Sequence, residues 1–328
     1  MAVTAGTVET YANTLIFQDL ENAFNLLSPT ECPFVQAIGK GTMDSTYHEW
    51  PIVALNAVDA ANRVIEGDDA PAVDTATMGK RVGNYSQISD KKISVSQTSE
   101  AVDAAAENIQ KISKQMVYKM KELKRDMETM LLSNVPAVPG SSGVARQTAG
   151  MPAWLQSNTS FGATGADGTL SGTTAGYPNA GATAGTTRAI TEKMFNDVIQ
   201  DCWTNGGDPT LVLCDAGYKR IISEDFNGNA TRYKDTVDKK VINAIDFYES
   251  DFGTLTIVPD RFLPLITTAN HQILLIDPSY VSLLYLDPVQ EKPLAETGHS
   301  KKRLLWCEYA LKVDNEAAHG AVRDLSGA

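Results

Sequence analysis

The sequence predicts an α+β fold, and three observations carry that prediction. Apolar residues recur at helical spacing from Ala101 to about Asn134. Short segments elsewhere, such as Leu211–Cys214 and Gln272–Ile276, are dense in strand-forming residues. Helices and strands are mixed without a regular βαβ rhythm. A long polar arm with no core of its own leads directly into the long helix. A chain that commits so much length to an extension folds partly against a neighbour, which points to an assembly protein.

The elements follow in order. Leu15, Ile16, Leu20, Phe24, Leu26 and Leu27 predict a short helix or a packing arm. Ser28 to Phe34, with two prolines, breaks the chain. Thr46 to Leu55 is aromatic and β-branched and reads as a strand. Val82 to Asp90 and Ile93 to Thr98 form its return. Val82 and Ile88 have the opposite parity to Ile93 and Val95, which predicts a bulge or a change of exposed face near Lys91 and Lys92. Between the strands, Val58 to Lys80 reads as the polar tip of a two-stranded arm, with Arg63, Glu66, Asp68 and Asp69. Such a hairpin is marginal alone and needs contacts elsewhere.

The long helix is the strongest element. Val102, Ile109, Ile112, Met116 (or Val117), Met120, Leu123, Met127 and Leu131 recur mostly every three or four residues. Lys111, Lys114, Lys121, Lys124, Arg125 and Glu128 occupy the other face, read as solvated. The rod would run roughly 50 Å, stopped by Asn134 and Pro136. Thr159 to Arg188 is dominated by Gly, Ala, Thr and Ser, and predicts a flexible exposed loop.

A second unit starts at Thr191, which begins a helix with Met194, Phe195, Val198, Ile199 and Cys202 on one face. Leu211–Cys214 is a buried strand and Ala216 to Ser223 a helix. Asp225 to Lys240 is polar and loop-like. Val241 to Tyr248, Thr254 to Val258, Gln272 to Ile276, Val281 to Leu286 and Leu304 to Val313 are strands.

Composition narrows the function. The 328 residues suffice for roughly two domain-sized units. Hydrophobic content of 43% and charged content of 21% suit a globular protein with a real core. No stretch is long and apolar enough to span a membrane, and the N-terminus lacks a signal-peptide pattern. The net charge of −12 disfavours a DNA grip, which needs clustered Lys and Arg. An acidic wall still suits a container whose DNA must slide and leave. Cys32, Cys202, Cys214 and Cys307 form no metal-ligand spacing and read as small buried hydrophobes. There is no GxSxG, HExxH or P-loop, and only four histidines, so the sequence argues against an enzyme and calls for no metal or cofactor.

Several fragments occur together in a recognisable order: Thr30-Glu31-Cys32-Pro33-Phe34, His48-Glu49-Trp50, Glu66-Gly67, Arg81 to Ile88, Lys121 to Leu132, Gly150 to Asn158, Asp251-Phe252-Gly253 and Leu294 to Gly298. From about residue 30 to 325 the chain resembles the SU10-like family of tailed-phage major capsid proteins. The resemblance implies the HK97 fold and an allocation of parts. Residues 1–44 would be the N-terminal arm and 45–100 the E-loop that reaches over a neighbour. Residues 101–189 and 286–328 would form the peripheral domain, with helix 101–134 as its spine. Residues 190–285 would form the axial domain, with Asp225 to Lys240 a candidate lining of the capsomer axis.

The function implied is self-assembly through pentamers and hexamers into an icosahedral shell around double-stranded DNA. The implied partners are other copies of the chain, a separate scaffold, a portal and decoration proteins, with no membrane. The expected location is the virion, assembled in the bacterial host cytoplasm. The short arm leads us to expect no extensive N-terminal trimming. Candidate inter-subunit residues are Arg63, Glu66, Asp68, Asp69, Lys80 and Arg81, whose charges would set register and partner choice. An encapsulin-like compartment of the same fold is the alternative, ahead of an enzyme or a tail or decoration protein.

Overall fold

The computed structural model describes residues 29–63, 65–67, 76–102, 111–172, 175–226, 234–235, 240–241, 246–267, 269–296 and 298–327. The leading segment, residues 103–110 and most of the stretch 225–240 lie outside the described residues. The helices are α1 (Pro33–Ala37), α2 (Gln97–Ala101), α3 (Ile112–Leu132), α4 (Met151–Trp154), α5 (Glu192–Thr204) and α6 (Ala216–Asp225). The strands are β1 (Gly39–Thr42), β2 (Tyr47–Ile52), β3 (Lys80–Tyr85), β4 (Gln87–Ser96), β5 (Thr159–Ser160), β6 (Thr169–Leu170), β7 (Pro178–Ala180), β8 (Leu211–Cys214), β9 (Lys234–Asp235), β10 (Lys240–Val241), β11 (Phe247–Ser250), β12 (Gly253–Pro259), β13 (His271–Ile276), β14 (Val281–Pro293), β15 (Ser300–Val313) and β16 (Gly320–Leu325).

Two larger sheets organise the described residues. One has four strands in the order β1-β14-β15-β4, and the other six in the order β11-β12-β8-β13-β16-β5. Side-chain alternation in the six-stranded sheet builds two cores at once. Val212, Cys214, Ile273, Leu275 and Val322 face one way and pack with Phe195, Val198 and Ile199 of α5 and Tyr218 and Ile222 of α6. Leu211, Leu213, Leu274, Ile276 and Ala321 face the other way and join Met151, Trp154, Leu155 and the end of α3. The chain therefore crosses between the sheets more than once. β16, beyond residue 286, pairs with β13.

Local chemistry explains the element ends. Thr191 caps α5 by accepting from the Met194 N–H, and Asp215 caps α6 by accepting from the Tyr218 N–H. Proline opens α1, where its missing N–H costs nothing. Cys32 at the N-cap of α1 supplies no side-chain acceptor. Glu128 of α3 supplies it instead: the N–H groups of Phe34 and Val35 donate to its two oxygens at 2.7 and 2.8 Å.

Several expectations are corrected. The long helix is not one rod from Ala101 to Asn134. Val102 and Lys111 are both extended, α2 is a separate short helix capped by Ser96, and α3 spans 21 residues, about 31 Å. Its buried stripe is Leu123, Met127, Glu128, Leu131 and Leu132, whereas Val117 and Met120 are exposed. Glu128, expected on the solvated face, is 0% exposed.

No bulge occurs at Lys91 and Lys92. β4 pairs with β15 in unbroken register from Gln87↔Tyr309 to Ser96↔Ser300. Ile88 simply points outward, and the parity changes at Ser86, between β3 and β4.

The stretch 159–188 is no loose loop. It holds β5, β6 and β7, and its glycines permit close backbone approach. A Cβ on Gly162 would sit 1.9 Å from the Thr186 carbonyl oxygen. The final strand β16 went unpredicted because Gly320 to Leu325 mixes Gly, Arg and Asp with Val and Leu. All six residues are nonetheless buried, with Arg323 held by Asp167 at 2.8 Å and Asp324 accepting from the Asn270 amide at 2.7 Å.

Candidate assembly interface

Of the predicted arm, β2 and β3 form a two-stranded hairpin, whereas the rest of the predicted return, β4, pairs with β15 in the body. β2 and β3 pair antiparallel from Tyr47↔Tyr85 to Ile52↔Lys80. Its root is tied to the body by buried polar contacts. Trp50 lies 5.5 Å from Trp154 and donates its indole N–H to the Val313 carbonyl at 3.0 Å. Asn84 donates to Thr148 Oγ1 and the Leu311 carbonyl, and accepts from the N–H groups of Tyr85 and Ala149. Glu308 accepts from Ser86 Oγ at 2.5 Å and from Arg146 at 2.6 Å. Tyr47, Tyr85 and Tyr177 cluster, with Tyr177 edge-on to the other two rings, and Gly83 leaves room for Tyr47 where a side chain would collide.

Beyond this root the hairpin loses its cover. Val53, Leu55, Val58, Ile65 and Met78 are all exposed, Leu55 by 89% and Val58 by 97%. The tip expected to be polar is therefore amphipathic. Large apolar side chains this exposed, five within one hairpin tip, point to an interaction surface. A cleft of about 470 Å³ runs beneath it, lined among others by Ile52, Leu55, Met78, Trp154, Leu170 and Val313.

The charged candidates separate into two groups. Arg63 and Glu66 lie in the exposed tip, while Lys80 and Arg81 lie on β3. Arg81 is 3.7 Å from Glu49 across the hairpin, with its side chain 78% exposed. Asp68 and Asp69 lie outside the described residues. The apolar residues of the tip are the sequence signal for this surface. They stand in plain view between the acidic and basic residues.

The four cysteines are buried and free, as expected. Burial pushes the Cys202, Cys214 and Cys307 thiols up to about 12, which makes them unreactive. The described residues hold no cluster of metal-ligating side chains.

Solved structures share the two-sheet architecture with its long helix. The chain aligns with the cyanophage A-1(L) capsid at a TM-score of 0.67 and 12% identity, covering 98% of this chain and 100% of that one. For the Mycobacterium phage Bobi structure the values are 0.59 and 15%, covering 96% and 97%. For the holo-SrpI encapsulin complex of Synechococcus elongatus they are 0.56 and 10%, covering 98% and 96%. At these identities the likeness establishes the fold, which is HK97-like. The model of the SU10 major capsid protein family matches residues 3–326, and the chain belongs to that family. A stretch of 114 residues is 34% identical to the major capsid protein of Escherichia phage Phieco32. It spans 34% of this chain and 31% of that relative.

Proposed function

We propose that this chain is the major structural subunit of a tailed-phage capsid, self-assembling through pentamers and hexamers into an icosahedral shell around double-stranded DNA. The family match across nearly the whole chain carries the reading. The exposed tip supports it, because a lone subunit gains nothing from leaving Leu55, Val58 and Met78 in water. In this reading residues 1–44 are the arm, 45–100 the E-loop, 101–189 and 286–328 the peripheral domain and 190–285 the axial domain. The E-loop lays its apolar tip on the next copy, while Arg63, Glu66, Asp68, Asp69, Lys80 and Arg81 fix the register. Many weak contacts per subunit then add to a closed shell that resists disassembly. The subunit performs no catalysis and takes no cofactor. Its shell is part of the virion, built in the host cytoplasm with a separate scaffold, portal and decoration proteins.

Negative-stain microscopy of the purified protein tests this directly. Icosahedral particles are the expected result, and tubes at high concentration contradict it. Glu66→Lys and Arg81→Glu are expected to reduce particle yield while leaving the subunit folded. Among the described residues Arg81 pairs with Glu49 at the exposed surface, and such pairs contribute about 0–1 kcal/mol. An encapsulin-like compartment shares the fold. Protein cargo in place of DNA in purified particles would select it.

A further inference from the structure

Three segments distant in sequence meet at Glu128. The α1 segment brings the N–H groups of Phe34 and Val35, α3 brings Glu128 itself, and the turn after β12 brings Asp260. Both carboxyls are buried, Glu128 at 0% and Asp260 at 2% exposure. Asp260 Oδ1 accepts from the Phe262 N–H at 2.8 Å. Its Oδ2 is buried without a hydrogen-bond partner, and the Glu128 carboxyl lies beside that of Asp260.

Two ionised carboxylates do not share a dry site, because their repulsion and desolvation favour holding one proton between them. The neighbouring charges do not remove the conflict. Lys124 and Arg125 precede Glu128 on α3, but among the described residues neither forms an ion pair with it. Arg125 instead stacks over the Phe262 ring at 5.2 Å. Among the described residues Cys32, at the start of α1, also faces the site, and burial holds it as a neutral thiol, raised to about 11.

We propose that Glu128 and Asp260 form a proton-gated clasp between the long helix and the six-stranded sheet. With the proton bound, the Glu128 O–H donates to Asp260 Oδ2, and the helix, the 260–262 turn and α1 are tied at one point. When the proton leaves to solvent, two buried carboxylates face each other, the helix-to-turn hydrogen bond is lost, and Glu128 keeps only its two N–H donors from α1. The clasp thus loosens one unit of the subunit against the other while the arm stays anchored. Burial pushes the Glu128 carboxyl up to about 7, against the lowering effect of the Val35 and Phe34 N–H groups, and raises Asp260 as well. The Glu128–Asp260 hydrogen bond raises the first and lowers the second, so Glu128 holds the proton.

Infrared spectroscopy of the full-length protein tests this without any variant. At about pH 6, ordinary carboxyls are ionised. The clasp predicts one residual carboxylic-acid C=O band per subunit, shifted by glutamate-specific ¹³C labelling and lost by about pH 8.5. Glu128→Gln is expected to abolish the band. It should also keep the amides around Phe262 equally protected from hydrogen exchange at both pH values, after correction for intrinsic exchange. In the wild type that protection falls as the band disappears. Absence of a glutamate acid band at about pH 6 overturns the proposal. So does a wild-type exchange profile that Glu128→Gln leaves unchanged.

Discussion

Asn84 shows how much one buried side chain can carry. Its amide satisfies groups of two separate segments, Thr148 with Ala149 and Leu311, and truncation leaves the Ala149 N–H without its side-chain acceptor. Asn84→Ala is expected to cost about 2–3 kcal/mol in urea unfolding of the unassembled subunit. Wild-type stability in that variant would mean water replaces the amide. Two buried titratable groups set the pH response in opposite directions. Burial pushes His319 down to about 4, and its Nδ1 accepts from the Asp277 N–H. Its contribution is therefore present above the ordinary 6.5 and lost as pH falls through about 4. Glu128, raised from 4.5 to about 7, contributes fully below about 4.5 and loses that contribution as pH rises through about 7. Between these limits the slopes oppose one another. Glu128→Gln should therefore make thermal stability rise with pH from about 4 to about 6.5 more steeply than in the wild type. An unchanged profile would contradict the assignment. The buried cysteines were readable from composition and spacing alone. Glu128 was not, because helical periodicity reads every carboxylate among lysines as outward-facing, and only the distant α1 N–H groups give it a reason to be buried.

Periodicity located the elements whose burial is one-sided or complete. α5 with its Thr191 cap, β8 and β13 came directly from the pattern, because their apolar residues meet partners inside the subunit. It failed where tertiary contacts override local signals. Ser86 redirects the chain between β3 and β4, so the parity change arose from a junction rather than a bulge. The 159–188 segment looked flexible because small residues are common in linkers. They are equally what close backbone packing needs. Gly162→Ala is therefore expected to destabilise the subunit by about 1–3 kcal/mol, the usual cost of overpacking. Gly143→Ala, where a Cβ meets nothing within 4 Å, should be neutral within about 0.5 kcal/mol. Equal effects from the two, measured by urea titration, would return the segment to the status of a linker.

The subunit as a whole is divided between a body that completes its own cores and a projection that does not. Trp50, Asn84 and Glu308 fix the root of the hairpin, so its tip is presented rather than adrift. The N-terminal half of α3 repeats the theme, with Val117 and Met120 left exposed. The sequence carried both surfaces, but an apolar residue gives no sign of whether its partner lies within the chain or on another copy. The direct test is hydrogen exchange, compared between assembled particles and unassembled subunits. Amides of residues 53–63 and 76–80 are expected to gain strong protection on assembly, while β8 in the body exchanges equally slowly in both states. Equal exchange of the hairpin tip before and after assembly would contradict the claim that it is completed by a neighbouring copy.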